Sequence, residues 1–163
     1  MADAKILCFS DSHGRVLTMY DAVLAEKPDM IFHAGDSEDS FETLEELLRD
    51  KKLEIECHAV LGNCDKDNGR LPYMDLITLN GRRFLLIHSH QFPELRHNGD
   101  YREAVTLAEK NRADVLVFGH THNQERRIID RLLCINPGAA EWGHYAVIEV
   151  TEDGEISARL LRE

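Results

Sequence analysis

Positive charge is scarce in this chain: Lys and Arg number 19 against 30 Asp and Glu, a formal net charge of -11. A long polyanion is therefore not expected as a partner, because nucleic-acid binders carry a basic face. Long apolar runs are missing as well. The longest, such as Val115-Leu116-Val117-Phe118, fall far short of the ~18 residues of a membrane span. The run Ile6 to Phe9, preceded by the single Lys5, is too short for a signal peptide. Four cysteines occur without CxxC spacing, which argues against a disulfide framework and for a reducing, cytoplasmic setting. No repeat, low-complexity tract or Pro/Gly-rich linker divides the sequence, so residues 1–163 are expected to form one domain. Apolar residues at 43% and charged residues at 30% complete a globular composition.

Short β-branched or aromatic runs alternate with segments of helical period. Strands are expected at Lys5 to Phe9, Met30 to His33 and Ile55 to Leu61, with helices at Arg15 to Glu26 and Phe41 to Leu48 between them. Asn80-Gly81 sits between the strand-like stretches Asp75 to Leu79 and Arg83 to His88, a strong signal for a two-residue hairpin turn. A helix over Asp100 to Asn111 precedes the strand Val115 to Phe118. Four further strands follow: Glu125 to Ile129, Leu132 to Ile135, Tyr145 to Val150 and Glu155 to Leu160. A βαβαβ start followed by hairpins points to an α/β fold of two stacked mixed β-sheets flanked by helices, a four-layer α/β sandwich. A single doubly wound sheet is the alternative.

Five apolar runs end in metal-ligand chemistry. They lead into Asp11-Ser12-His13, His33-Ala34-Gly35-Asp36, Gly62-Asn63-Cys64-Asp65, His88-Ser89-His90 and Gly119-His120-Thr121-His122. In open α/β sheets the carboxyl ends of strands form the rim where ligands bind. The steps Asp11 to Asp36, to Asn63, to His88 and to His120 are 25, 27, 25 and 32 residues, each about one supersecondary unit, so the clusters should converge. Taken singly, Asp11-x-His13 reads as a helix cap with a surface His, and Gly35-Asp36 and Asn63 read as turn residues. Five independent turns would not each choose ligand chemistry. Carboxylate, imidazole and amide oxygen suit Mn, Fe, Zn, Co or Ni.

These ordered motifs resemble those of the calcineurin-like metallophosphoesterases over residues 6 to 122. Ile135-Asn136-Pro137-Gly138 further resembles the small single-domain phosphodiesterase branch of that family. The resemblance implies two divalent cations, Mn by default. Asp11, His13, Asp36 and His122 would hold one, and Asp36, Asn63, His88 and His120 the other, with Asp36 shared. It also implies a metal-dependent phosphodiesterase in which hydroxide held by both metals attacks a small phosphodiester, with Asp36, Asn63, Asp65 and His90 in the catalytic set. Two such cations about 3.5–4 Å apart supply the nucleophile and bind the phosphate oxygens. Two other readings compete. One is an interaction scaffold on the same fold, as in the related retromer subunit, and the other is a phosphomonoesterase.

One position departs from the pattern. Many relatives have His after the Asn, where this chain has Cys64, and a thiol is a poor substitute for an imidazolium, so fast turnover should require good leaving groups. His90 is read as a residue supporting the ligands from behind or as an oxygen-side contact rather than a ligand, His33 as structural, and Asn136 as a brace for the ligand loops or a plain turn residue. His97, in the connection Gln91 to Gly99, is a candidate to overhang the site. Cys8, Cys57 and Cys134 read as core filler, and Arg126 and Arg127 as a solvated strand face. Exposed strand edges or the region around Trp142 are the candidate surface of a homo-oligomer.

Overall fold

The computed structural model describes residues 2–162. Ten strands form two five-stranded sheets. The first contains β1 (Ala4–Phe9), β2 (Met30–His33), β3 (Glu56–Ala59), β9 (His144–Val150) and β10 (Ile156–Arg162), in the order β10-β9-β1-β2-β3. The second contains β4 (Met74–Leu79), β5 (Arg82–Ile87), β6 (Val115–Val117), β7 (Glu125–Ile129) and β8 (Leu132–Asn136), in the order β4-β5-β6-β8-β7. Both sheets are mixed. β1, β2 and β3 run parallel, as do β5, β6 and β8, and antiparallel strands complete each sheet.

Strands buried on both faces account for the continuous apolar runs. On β1, Ile6 and Cys8 point into the space between the sheets, where they join Phe32, Phe84, Leu86, Val117 and Ile148. Leu7 and Phe9 point the other way, against Met19, Val23, Leu44 and Leu48 of α1 (Leu17–Glu26) and α2 (Ser40–Asp50). On the second sheet Leu85, Ile87 and Leu116 face Leu95 of α3 (Pro93–Asn98) and Ala104, Val105 and Ala108 of α4 (Arg102–Lys110). The order of layers is therefore helix, sheet, sheet, helix, the expected four-layer sandwich. Each large side chain buried in these layers contributes roughly 1.5–3 kcal/mol.

The Asn80-Gly81 turn forms as expected, with φ of 49° and 78°, the two positive values that a type I′ turn requires. Asn80 Nδ2 also donates to the carbonyls of Ala2, Val150 and Thr151, tying this hairpin of one sheet to the end of the other. Two elements differ from the sequence expectation. The connection Gln91 to Gly99 contains α3, with Pro93 in its first turn, where the sequence reads as loop. A 3-10 turn over Ala140–Trp142 follows Asn136-Pro137-Gly138. Among the described residues no helix is long and apolar enough to cross a membrane.

Candidate metal centre

The strands carrying the five clusters are parallel within each sheet, so their carboxyl ends open on one edge of the sandwich. Backbone hydrogen bonds continue beyond the strands and lock the loops together. Asp11 N–H donates to Gly35 O (2.9 Å), His13 N–H to Asp36 O (3.0 Å) and Gly119 N–H to His88 O (3.2 Å). The first sheet thus delivers Asp11, His13, Asp36 and Asn63, and the second delivers His88, His120 and His122.

Their side chains meet in two adjoining groups. Asp11, His13 and His122 each bring a ligand atom within 4.8 Å of the others, and so do Asp36, His88 and His120. His13, Asp36 and Cys64 make a third grouping, which places Asp36 between the other two. Asn63 Oδ1 lies 3.0 Å from His88 Nε2. His88 Nδ1–H donates to Ala34 O at 2.7 Å, which orients the ring so that Nε2 faces Asp36 Oδ2 at 3.2 Å. Although burial opposes it, the hydrogen bond to Asp36 and the Asp11 and Asp36 charges raise the ring's affinity for a proton there. His13 is oriented in the same manner by Glu38, whose Oε1 is 2.8 Å from Nδ1.

Close approach of backbones makes this packing possible. A methyl group on Gly62 would lie 2.1 Å from Asp36 Oδ1, and one on Gly119 would lie 1.8 Å from Ser10 Oγ. Five of the seven expected ligands have left-handed backbones: Asp11 (φ 54°), His13 (44°), Asp36 (58°), His120 (69°) and His122 (65°). Each such non-glycine residue costs about 1–3 kcal/mol, and strain of this kind concentrates at functional sites.

The electrostatics demand positive charge. Asp11 is fully buried, and its Oδ1 receives no hydrogen bond of acceptable geometry, although His122 Nε2 stands 3.1 Å away. Burial opposes ionisation of Asp36, yet the hydrogen bond and charge of His88 and the Cys64 N–H (2.8 Å to Oδ1) hold its carboxyl well below the usual range. His120 is pushed down to about 4 by burial and by the nearby positive charges of His88 and Arg96, so it remains a neutral donor. Burial and the Asp36 charge push the Cys64 thiol up to about 11, leaving it protonated at neutral pH. Imidazole and carboxylate donors around an orphaned buried oxygen fit divalent cations.

The remaining expected residues take several places. Asp65 is close but occupied: Oδ2 accepts from the Asp36 and Gly62 N–H groups and Oδ1 from the Glu38 N–H, all at 2.8 Å. His90 lies on the rim, its ring centre 5.5 Å from that of His88 and 6.1 Å from that of Tyr73, with a buried Nδ1 lacking a partner. Asn136 is the brace: Nδ2 donates to Thr121 Oγ1 at 2.8 Å, and Oδ1 accepts from Gly138 N–H at 2.9 Å. His33 is structural, accepting at Nδ1 from Gly35 N–H and bonding Ser12 Oγ through Nε2 at 2.8 Å. Arg127 pairs with Glu125 and covers the Tyr101 ring, away from the cluster.

His97 is exposed on α3, and the α3 side chain that reaches the cluster is its neighbour Arg96. Trp142 lies against His122, ring centres 5.6 Å apart. Sequence reasoning missed Glu38, Arg96 and this placement of Trp142. Glu38 is two residues beyond Asp36 but is masked by the acidic run that follows.

A family model described as the calcineurin-like phosphoesterase superfamily domain matches residues 4–153. A Bacillus subtilis protein named probable metallophosphoesterase YsnB is 34% identical over 141 residues, spanning 83% of this chain and 74% of its own. Among solved structures, a predicted phosphoesterase from Streptococcus pneumoniae superposes with a TM-score of 0.71 at 25% identity, covering 100% of this chain and 99% of the other. Vacuolar protein sorting 29 from Cryptosporidium parvum shares the fold with a TM-score of 0.75 at 16% identity, covering 100% of both chains. The ligand-bearing loops and the family match together lead to one conclusion: this chain belongs to the calcineurin-like phosphoesterase superfamily.

Proposed function

We propose that the chain is a metal-dependent phosphodiesterase for small phosphodiesters, working as one unit over its length. The observation that carries this reading is the convergence of seven donors from both sheets on one rim, with Asp36 between the two groups. Asp11, His13, Asp36 and His122 would hold one divalent cation, and Asp36, Asn63, His88 and His120 a second, with Mn expected. Bound there, the cations supply Lewis acidity toward phosphate oxygens and a water that ionises near neutral pH.

The protein's own residues do the rest. Asp65 clamps the Gly35-Asp36 and Gly62-Asn63 loops through three backbone amides, so it positions Asp36 rather than meeting substrate. His90, whose ring stands 5.5 Å from that of His88 on the rim, would contact an ester oxygen of the substrate. Cys64 contributes its N–H to Asp36 and a neutral thiol to the site, so leaving groups must depart with little help from an acid. The rim is uncovered, with His13, His120 and His122 half-buried and Asn63 and Cys64 exposed. A cleft of about 270 Å³ lined in part by Ser37, Glu38, Asp39, Cys64, Asp65 and Lys66 adjoins the rim.

The scaffold reading shares the fold, but a surface used only for docking has no need of seven converging donors, five of them on strained backbones. Metal-stripped protein should hydrolyse bis-p-nitrophenyl phosphate only after Mn is restored, and faster than the corresponding monoester. Asp36→Asn should lose at least 100-fold. Stoichiometric Mn binding without hydrolysis of either ester would overturn the phosphodiesterase reading in favour of the scaffold, and a faster monoester would make it a phosphomonoesterase.

A further inference from the structure

Arg96 has no acidic partner in an acidic protein. Most arginines with a side-chain partner pair with carboxylates: Arg82 with Asp114, Arg102 with Asp100, Arg127 with Glu125 and Arg159 with Glu26. Arg96 pairs with none among the described residues. Its one polar neighbour is His120, whose Nε2 lies 3.5 Å from Nη1. That separation is well beyond the ~2.9–3.0 Å of a good N–H bond, so the guanidinium donors are held at the cluster without being consumed by it. Among the described residues no other Lys or Arg side chain comes within hydrogen-bond or ion-pair distance of a ligand side chain.

Its carrier is firmly seated. Phe92 N–H bonds back to Ser89 O at 3.0 Å, directly after His88, and Leu95 N–H to Phe92 O at 3.1 Å. Leu95 is buried against the second sheet with Phe92 packed beside it. α3 therefore follows closely on the His88 loop, with Leu95 in the core and Arg96 beside His120 at the rim. Cys64, grouped with His13 and Asp36, adds no positive charge to the site. A phosphodiester has one negative charge and gains a second as it is attacked. An arginine fork binds such oxygens with two parallel donors and with more strength than a lysine.

We propose that Arg96 is the anion subsite of the centre, its guanidinium binding a nonbridging phosphate oxygen of the substrate beside His120. This deepens the phosphodiesterase reading and rests on it. Because the charge on that oxygen rises during attack, the loss on removal should be larger in kcat than in KM.

The test compares wild type, Arg96→Ala and Arg96→Lys, each loaded with Mn. Calorimetric titration with inorganic phosphate should show binding at least about tenfold weaker in Arg96→Ala and intermediate in Arg96→Lys, since the lost hydrogen bonds are charge-assisted. Hydrolysis of bis-p-nitrophenyl phosphate should fall about 10- to 100-fold in kcat/KM, mostly through kcat. Mn stoichiometry and melting temperature should stay as in wild type, because Arg96 is exposed. Unchanged phosphate affinity in Arg96→Ala would overturn the subsite. So would loss of one Mn, which would make Arg96 a support for His120 instead. A wild type that binds phosphate through Arg96 yet hydrolyses no ester would sink the phosphodiesterase reading and leave the subsite standing, so the two failures are separable.

Discussion

A single hydrogen atom at Gly62 sets the position of Asp36. The Gly62 backbone passes so close that a methyl group would stand 2.1 Å from Asp36 Oδ1 and 2.4 Å from its amide nitrogen. Neither of those atoms is a movable chain end, because Asp36 Oδ1 receives the Cys64 N–H and Asp36 N–H is held by Asp65. Gly62→Ala must therefore displace the shared carboxylate, the Asn63 loop or both. Mn affinity should fall at least tenfold and hydrolysis by more than 100-fold, since angstrom-scale misplacement alone costs about that much. Calorimetric Mn titration checks it, and wild-type affinity in Gly62→Ala would show that the loops yield without moving Asp36.

The elements show where the sequence was readable. β1, β2, β5 and β6 were legible because burial on both faces demands unbroken apolar runs, and the ligand at each strand end marks where the sheet meets solvent. α3 was not legible. Its six residues are too few to show a helical period, and Pro93 sits in its first turn, where a helix tolerates it. Missing α3 meant missing Arg96. His33 was readable as structural from its place in an apolar strand, but its side-chain partner Ser12 lies 21 residues away. Its Nε2–H is directed to Ser12 Oγ, Ser12 bonds Ser40 Oγ at 2.6 Å, and Ser40 donates to Ser37 O, a buried relay joining β2, the first ligand loop and α2. Burial pushes His33 down to about 4 against an ordinary 6.5, and a second proton would oppose the Gly35 N–H. The unfolded chain therefore binds more protons between those values, and this contribution to stability is intact above pH 6.5 and is lost as pH falls toward 4. The loss approaches 1.4 kcal/mol per pH unit inside that window. Urea unfolding at pH 7 and pH 5 should show His33→Gln less stable than wild type at pH 7, with the gap narrowing at pH 5. A constant gap would contradict this assignment.

At the scale of the whole molecule, the centre is a junction between the two sheets. Asp11, His13, Asp36 and Asn63 belong to one sheet and His88, His120 and His122 to the other, so a bound cation ties together two layers otherwise joined mainly by apolar contact. It also neutralises carboxylates that the fold buries at the cost of backbone strain, in a protein with a net charge of -11. Binding to the folded state alone stabilises by about 2.7 kcal/mol when the ligand is at 100 times its Kd. For a domain of this size each kcal/mol moves the melting temperature by about 2–4 °C. Saturating Mn should therefore raise the Tm by about 5–10 °C over metal-stripped protein, and chelator should reverse the shift. Asp36→Asn removes the carboxylate proposed to serve both cations and should abolish most of the gain. His90 is not among the expected ligands, so His90→Ala should keep the full shift even where turnover falls. A Tm indifferent to Mn in the wild type would mean that the donors do not bridge the sheets through a cation, and a shift retained in Asp36→Asn would move the shared position to another residue.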